Sequence, residues 1–149
     1  MKIEEILKTK SNLPLSKKAV ISIIYTNAQI NKQLVDTLKP YDISLQQFNV
    51  LRILRGQKGK AACLETVQER MITKMSNTTR LIDKLIKKNY VEKNTNKANK
   101  RKIDILIKEK GLILLRSVDD LIDSKESDIM SSLNKQEKIE LIKLLGKLC

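Results

Sequence analysis

Hydrophobic positions along this chain recur first at a helical period, then briefly in alternation, then at a helical period again. Residues 2–9 can form one or two helical turns, with Ile3, Ile6 and Leu7 on one side, before Ser11-Asn12-Leu13-Pro14 breaks them. Val20, Ile23, Ile24, Ala28, Ile30, Leu34, Val35 and Leu38 then share a helical stripe, which predicts a long helix over 15–38. Pro40 stops it, because proline removes a ladder donor and clashes with the preceding turn. Ser44-Leu45-Gln46-Gln47 has the form of a capping box, in which Ser and Gln each satisfy a backbone N–H. The helix behind it carries Leu45, Phe48, Val50, Leu51 and Leu54 and ends before the turn at 56–59. A short helix is expected at about 61–68, with Cys63 on it. Another is expected at about 74–88, burying Met75, Thr78, Leu81, Ile82, Leu85 and Ile86.

The period then changes. Residues 90–93 read as a short strand, and 102–107 alternate with Ile103, Ile105 and Ile107 on one face. Between them, 94–101 are polar, basic and rich in turn formers, so the pair reads as a β-hairpin. Helical spacing returns at about 109–131 through Leu112, Leu115, Val118, Leu121, Ile122 and Ile129. A last helix follows at about 135–147, behind an Asn134 cap with Glu137 at the third helical position. Three helices and a hairpin between longer helices give a mainly α (α+β) fold, a winged helix-turn-helix with flanking helices.

Composition narrows the chemistry. The 149 residues are 41% hydrophobic and 32% charged, enough to bury a core, but only 3% are aromatic, so that core rests on Ile and Leu. Histidine is absent and there are two cysteines, Cys63 and Cys149. Neither a metal site nor a cofactor is expected, and the usual general base of an enzyme is missing. Cys63 is read as a small buried hydrophobe and Cys149 as an exposed thiol. No apolar run approaches the roughly 18 residues needed to span a bilayer, and the first residues lack the order of a signal peptide. A cytoplasmic protein with no membrane partner is expected.

The net charge is +13 and it is unevenly placed. Residues 40–108 hold 16 Lys/Arg against 6 Asp/Glu, whereas residues 109–149 hold 7 against 8. A basic middle between less basic arms is the footprint of a polyanion binder, with solubility as the plainer explanation. In a helix-turn-helix the second helix of the motif enters the major groove. Here that is 74–88, whose face opposite the apolar stripe carries Ser76, Arg80, Asp83, Lys84 and Lys87, flanked by Asn77 and Thr79. Arg80 suits guanine and Asn77 adenine, Ser76 and Thr79 suit bases or phosphates, and Lys84 and Lys87 suit phosphates. Asp83 is awkward beside DNA and is expected to pair with Lys87 or Arg80 at helical spacing. An ordinary solvated helix face would show similar residues. The hairpin loop tips the balance, since Lys97, Lys100, Arg101 and Lys102 serve no turn geometry and suit a wing along a minor groove.

On these pieces the chain resembles the multiple-antibiotic-resistance regulator (MarR) family of bacterial repressors. The matching stretches are Ser44 to Leu51, Ser76 to Leu85, Asn99 to Ile105, and Glu109-Lys110-Gly111, in that order and spacing. The resemblance implies one MarR-type domain over 1–149. Its DNA-binding lobe is 41–108, and 1–40 and 109–149 supply dimerisation helices. It implies a homodimer reading a pseudo-palindromic operator in double-stranded DNA, with Arg101 at the wing tip. Three positions depart from the family pattern. Asn99 replaces the usual Asp beside the wing arginine, Asn89 the usual Gly after the recognition helix, and Lys108 the usual Thr before the next helix.

The function expected is a sequence-specific transcriptional regulator, a repressor released by a small-molecule effector. A non-specific or architectural nucleic-acid binder is the alternative, and a protein–protein module is a third. Relatives often hold small phenolic or other aromatic effectors in a cleft between the dimer helices and the DNA-binding lobe. Tyr25, Tyr41 and Phe48 are candidates to line it, against a plain core role. The effector-binding residues stay unassigned by the sequence.

Overall fold

The computed structural model describes residues 3–9, 11–74, 77–96, 99–100 and 102–148. Helix α1 (Ile3–Ile6) leads into the long α2 (Leu15–Leu38), which ends in a short 3-10 turn over Lys39–Tyr41. Then come α3 (Leu45–Arg55), α4 (Leu64–Arg70), α5 (Thr78–Lys87), strands β1 (Val91–Thr95) and β2 (Ile103–Ile107), α6 (Glu109–Ile129) and α7 (Lys135–Gly146). The expected mainly α architecture with a winged hairpin is what forms.

Local chemistry explains most boundaries. At α3 the Gln47 N–H donates to Ser44 Oγ at 3.1 Å, and the Ser44 N–H donates to Gln47 Oε1 at 3.0 Å. The same reciprocal box starts α7, between Asn134 and Glu137. Helix α5 ends on a left-handed residue, Asn89, at φ 63°. There the Tyr90 N–H reaches the Leu85 carbonyl and the Asn89 N–H reaches Ile86, the two bonds of a Schellman motif. Asn therefore does the work expected of Gly at this corner.

Two helices start later than their periodicity suggests. Helix α4 begins at Leu64, not 61, because Ala62 is used as a strand. Its N–H donates to the Ile105 carbonyl and its carbonyl accepts from the Ile105 N–H, at 3.0 and 2.8 Å. Cys63 is consequently an extended, half-buried N-cap residue and not a residue of the helix. Helix α5 begins at Thr78, not 74, because Asn77 caps it and accepts the Arg80 N–H at 3.0 Å. The first hairpin strand in turn reaches further than expected, to Thr95, pairing Asn94 with Asp104 and Thr95 with Ile103.

One core serves the middle of the chain. Val50, Leu51 and Leu54 of α3 meet Ile82 and Leu85 of α5, Ile105 of β2, and Leu115, Val118 and Ile122 of α6. Helix α2 packs on α6, yet Leu38 is its only fully buried residue, and α7 buries none. Gly111 sits where α6 crosses the base of the hairpin. A Cβ there would lie 2.6 Å from the Tyr90 carbonyl oxygen, a backbone atom that cannot swing away.

Candidate nucleic-acid interface

Helix α5 is anchored by its apolar side and presents its polar side to solvent. Thr78, Ile82 and Leu85 are buried and Leu81 and Ile86 partly so, while Thr79, Arg80, Asp83, Lys84 and Lys87 are exposed. The face expected to read DNA is thus the free face. Ser76, Lys97 and Arg101, also expected to contact DNA, lie outside the described residues, as does Met75.

Two expectations about this face change. Asn77 was expected to bond adenine in bidentate fashion, but its Oδ1 is committed to the Arg80 N–H, so such a contact competes with the helix cap. Asp83 pairs with neither Lys87 nor Arg80. Its Oδ1 accepts from Lys93 Nζ of β1 at 2.5 Å. The acid therefore ties the recognition helix to the wing and leaves Arg80 and Lys87 without a carboxylate partner among the described residues. Sequence spacing favoured the local partners, and the cross-element one wins because β1 packs directly beside α5.

Lys84 and Lys87 line an open hollow of about 570 Å³ together with Lys39 and Lys88. Lys88 is tied to the Asp42 carboxylate at 2.7 Å. The other three have no carboxylate partner among the described residues. Lys39 and Lys88 were not singled out by sequence, because they flank a helix end and a turn that only folding brings together. Positive charge concentrated in a concave site raises the local potential that phosphates feel.

Asparagines order the described part of the wing loop. Asn96 Nδ2 donates to both oxygens of Asp104 at 2.9 and 3.1 Å, and Asn96 Oδ1 accepts the Asn99 N–H at 2.8 Å. The Lys102 N–H donates to the Asn99 carbonyl at 2.9 Å, which closes the loop. Lys100 and Lys102 stand exposed on it. Asn96 and Asp104 are structural residues that sequence reasoning passed over, although a turn-forming Asn near an Asp across a hairpin is a legible signal. At the base of the wing, Lys110 lies 5.2 Å from the Tyr90 ring centre and donates to the Lys88 carbonyl. Lys108, which stands where a capping Thr was expected, offers no side-chain cap and bonds the Asn89 side chain instead.

A second hollow, also about 570 Å³, lies between α2, α3, α6 and the segment 71–73. Phe48 lines it, whereas Tyr25 and Tyr41 do not, and Tyr41 packs on the core instead. Cys63 Sγ lies 3.1 Å from Thr66 Oγ1. A hydrogen bond with Cys63 holds the exposed Glu65 carboxyl below its usual value, helped by the backbone N–H of Glu65. Among the described residues no cluster of three or more His, Cys, Asp or Glu could hold a metal. No described helix is long and apolar enough to cross a membrane.

Known proteins share these features. The model of the MarR family matches residues 43–103, the lobe with its recognition helix and hairpin. The transcriptional regulator PecS of Dickeya dadantii (strain 3937) is 27% identical over 120 residues, covering 79% of this chain and 72% of that protein. The organohalide-sensing regulator RdhR-CbdbA1625, solved with 2,4-dichlorophenol bound, superposes with a TM-score of 0.84 at 21% identity, over 92% of this chain and 80% of that one. A mutant MarR from E. coli in complex with operator DNA superposes with a TM-score of 0.80 at 23% identity, over 93% of this chain and 99% of that one. The last two speak for the fold alone. The matched lobe, the PecS relative and the winged fold agree: over 43–103 the chain matches the MarR family, and its similarity is to transcription regulators.

Proposed function

We propose that this protein is a homodimeric, sequence-specific binder of double-stranded DNA that represses transcription and is released by a small aromatic effector. The observation that carries the reading is the free polar face of α5. Arg80 is exposed and has no ion-pair partner among the described residues, on a helix whose other side is locked into the core, next to a wing that also presents cations. Thr79, Arg80 and the Asn77 cap would meet base edges or the nearest phosphates, with Ser76 beside them. Lys84, Lys87, Lys97, Lys100 and Arg101 would meet phosphates and the minor groove.

The dimer is supported by apolar surface with no partner among the described residues. Val20 and Ile24 of α2, Ile113 and Leu121 of α6, and Ile139 and Ile142 of α7 are all exposed. That is more unpartnered apolar surface, on three helices, than a stable monomer usually leaves. Two-fold pairing through these helices would set two copies of α5 on one pseudo-palindromic operator. The effector is supported by the Phe48-lined cleft, which sits where flank and lobe meet. A fold neighbour holds 2,4-dichlorophenol, though its likeness does not locate a site here. Repression and a cytoplasmic location are carried over from the likeness to the MarR family.

Selection of bound sequences from a random DNA pool tests the reading. A palindromic consensus is expected, and Arg80→Ala should relax base preference at one position of each half-site by about 1–3 kcal/mol. The basic lobe would equally suit a non-specific binder. In that case the pool yields no consensus, and affinity at physiological salt stays near ~10⁻⁴–10⁻⁶ M for every sequence.

A further inference from the structure

The cleft between α2, α3 and α6 carries two opposite charges that no described residue answers. Arg52 of α3 and Glu126 of α6 both line it. Among the described residues neither has an ion-pair or hydrogen-bond partner. Their neighbours differ. Arg55, one turn along from Arg52, holds Asp119 with both guanidinium nitrogens, and Lys125, beside Glu126, approaches Asp128 at 3.6 Å. Arg52 is held over the Phe48 ring, 5.6 Å from its centre, so its edge is left to donate into the cleft.

The rest of the wall is mainly apolar, with four amide side chains among it. Asn31 Nδ2 donates to Asn27 Oδ1 at 3.0 Å, which leaves the Asn27 amide hydrogens and the Asn31 oxygen available. Asn49 donates only to the Met71 thioether at 3.7 Å, a weak acceptor. Phe48, Met71 and Ile122 are among the apolar residues that line the cleft. An aromatic acid in this space would answer Arg52 but press a carboxylate towards Glu126, and an aromatic amine would do the reverse. A guest that carries both groups gains a charge-assisted hydrogen bond at each end and leaves neither charge desolvated and alone.

We propose that the cleft takes an amphoteric aromatic ligand, a ring bearing a carboxylate that faces Arg52 and an amine that faces Glu126. The proposal rests on the effector reading of the same cleft and specifies the ligand's chemical class. Titration calorimetry on the full chain tests it with four probes: benzoate, benzylamine, and 3- and 4-(aminomethyl)benzoate. At least one (aminomethyl)benzoate should bind tenfold or more tightly than either single-charge probe. Glu126→Gln should reduce it to the affinity of benzoate, and Arg52→Gln to that of benzylamine, with circular dichroism unchanged in both. If benzoate binds as well as the (aminomethyl)benzoates, or Glu126→Gln changes nothing, the amphoteric class is wrong while the cleft remains an effector site. If none of the four binds at millimolar concentration, the effector reading of the cleft fails together with the proposal.

Discussion

The lobe formed by α3 to β2 and the helices that flank it use similar apolar residues to opposite ends. In the lobe, Val50, Leu51, Ile82 and Leu85 are fully buried within one chain. In the flank, Ile24 is 62% exposed and Ile142 71% exposed, although both sit on regular amphipathic helices. Helix α6 shows both behaviours at once. Its Leu115, Val118 and Ile122 stripe faces the lobe core, and Ile113 and Leu121 face outward. The lobe core is therefore completed within one chain, with help from α6 and the end of α2, whereas much of the flank's apolar surface has no partner among the described residues. Buried area stabilises in both cases, but in the proposed dimer the flank would gain it only as a function of concentration.

Changes in each region should break this comparison in different ways. The largest effect is expected from Leu51→Ala, which empties the centre of the lobe core. Urea unfolding should show a loss of about 2–5 kcal/mol, at any protein concentration. Ile142→Asp should leave lobe packing intact and act on assembly. Losing two buried isoleucines per dimer weakens association by about 3 kcal/mol or more. Light scattering should then show monomer at micromolar concentration, and an unchanged mass would remove α7 from the interface.

Gly111→Ala probes the joint between the two regions. A methyl group 2.6 Å from the Tyr90 oxygen forces α6 away from the hairpin base. A cost of about 1–3 kcal/mol is expected, together with weaker DNA binding as the wing shifts. Thermal unfolding and DNA binding on the same sample would show whether the two move together. Asp83→Asn is the mildest test. The Lys93 pair is partly exposed, so stability should fall by about 1 kcal/mol or less. DNA affinity should rise slightly, because a negative charge leaves the phosphate-facing side.

Much of the lobe could be read from the chain because its signals are local. The capping boxes at Ser44 and Asn134 and the corner at Asn89 each depend on residues within a few positions, and each forms as expected. The errors were non-local or ambiguous. Asn77 looks the same in sequence whether it reads a base or caps a helix, since one amide serves both. Ala62 is a lone strand residue whose partner, Ile105, lies far along the chain. Asp83 had two cations at helical spacing and bonded a third on another element. In the cleft, sequence offered Tyr25, Tyr41 and Phe48 by aromatic type, and only Phe48 is there.

Sequence by itself determined the order of elements, the apolar and polar faces of α5, and the concentration of positive charge in the lobe. Periodicity and charge are properties of neighbours along the chain, and they survive any packing. Tertiary structure alone decided that Asp83 braces the wing, that Lys39 and Lys88 join Lys84 and Lys87 in one basic hollow, and that Arg52 and Glu126 face one cleft. Those outcomes depend on which elements lie side by side, and that is set by burial of the shared core rather than by any local preference.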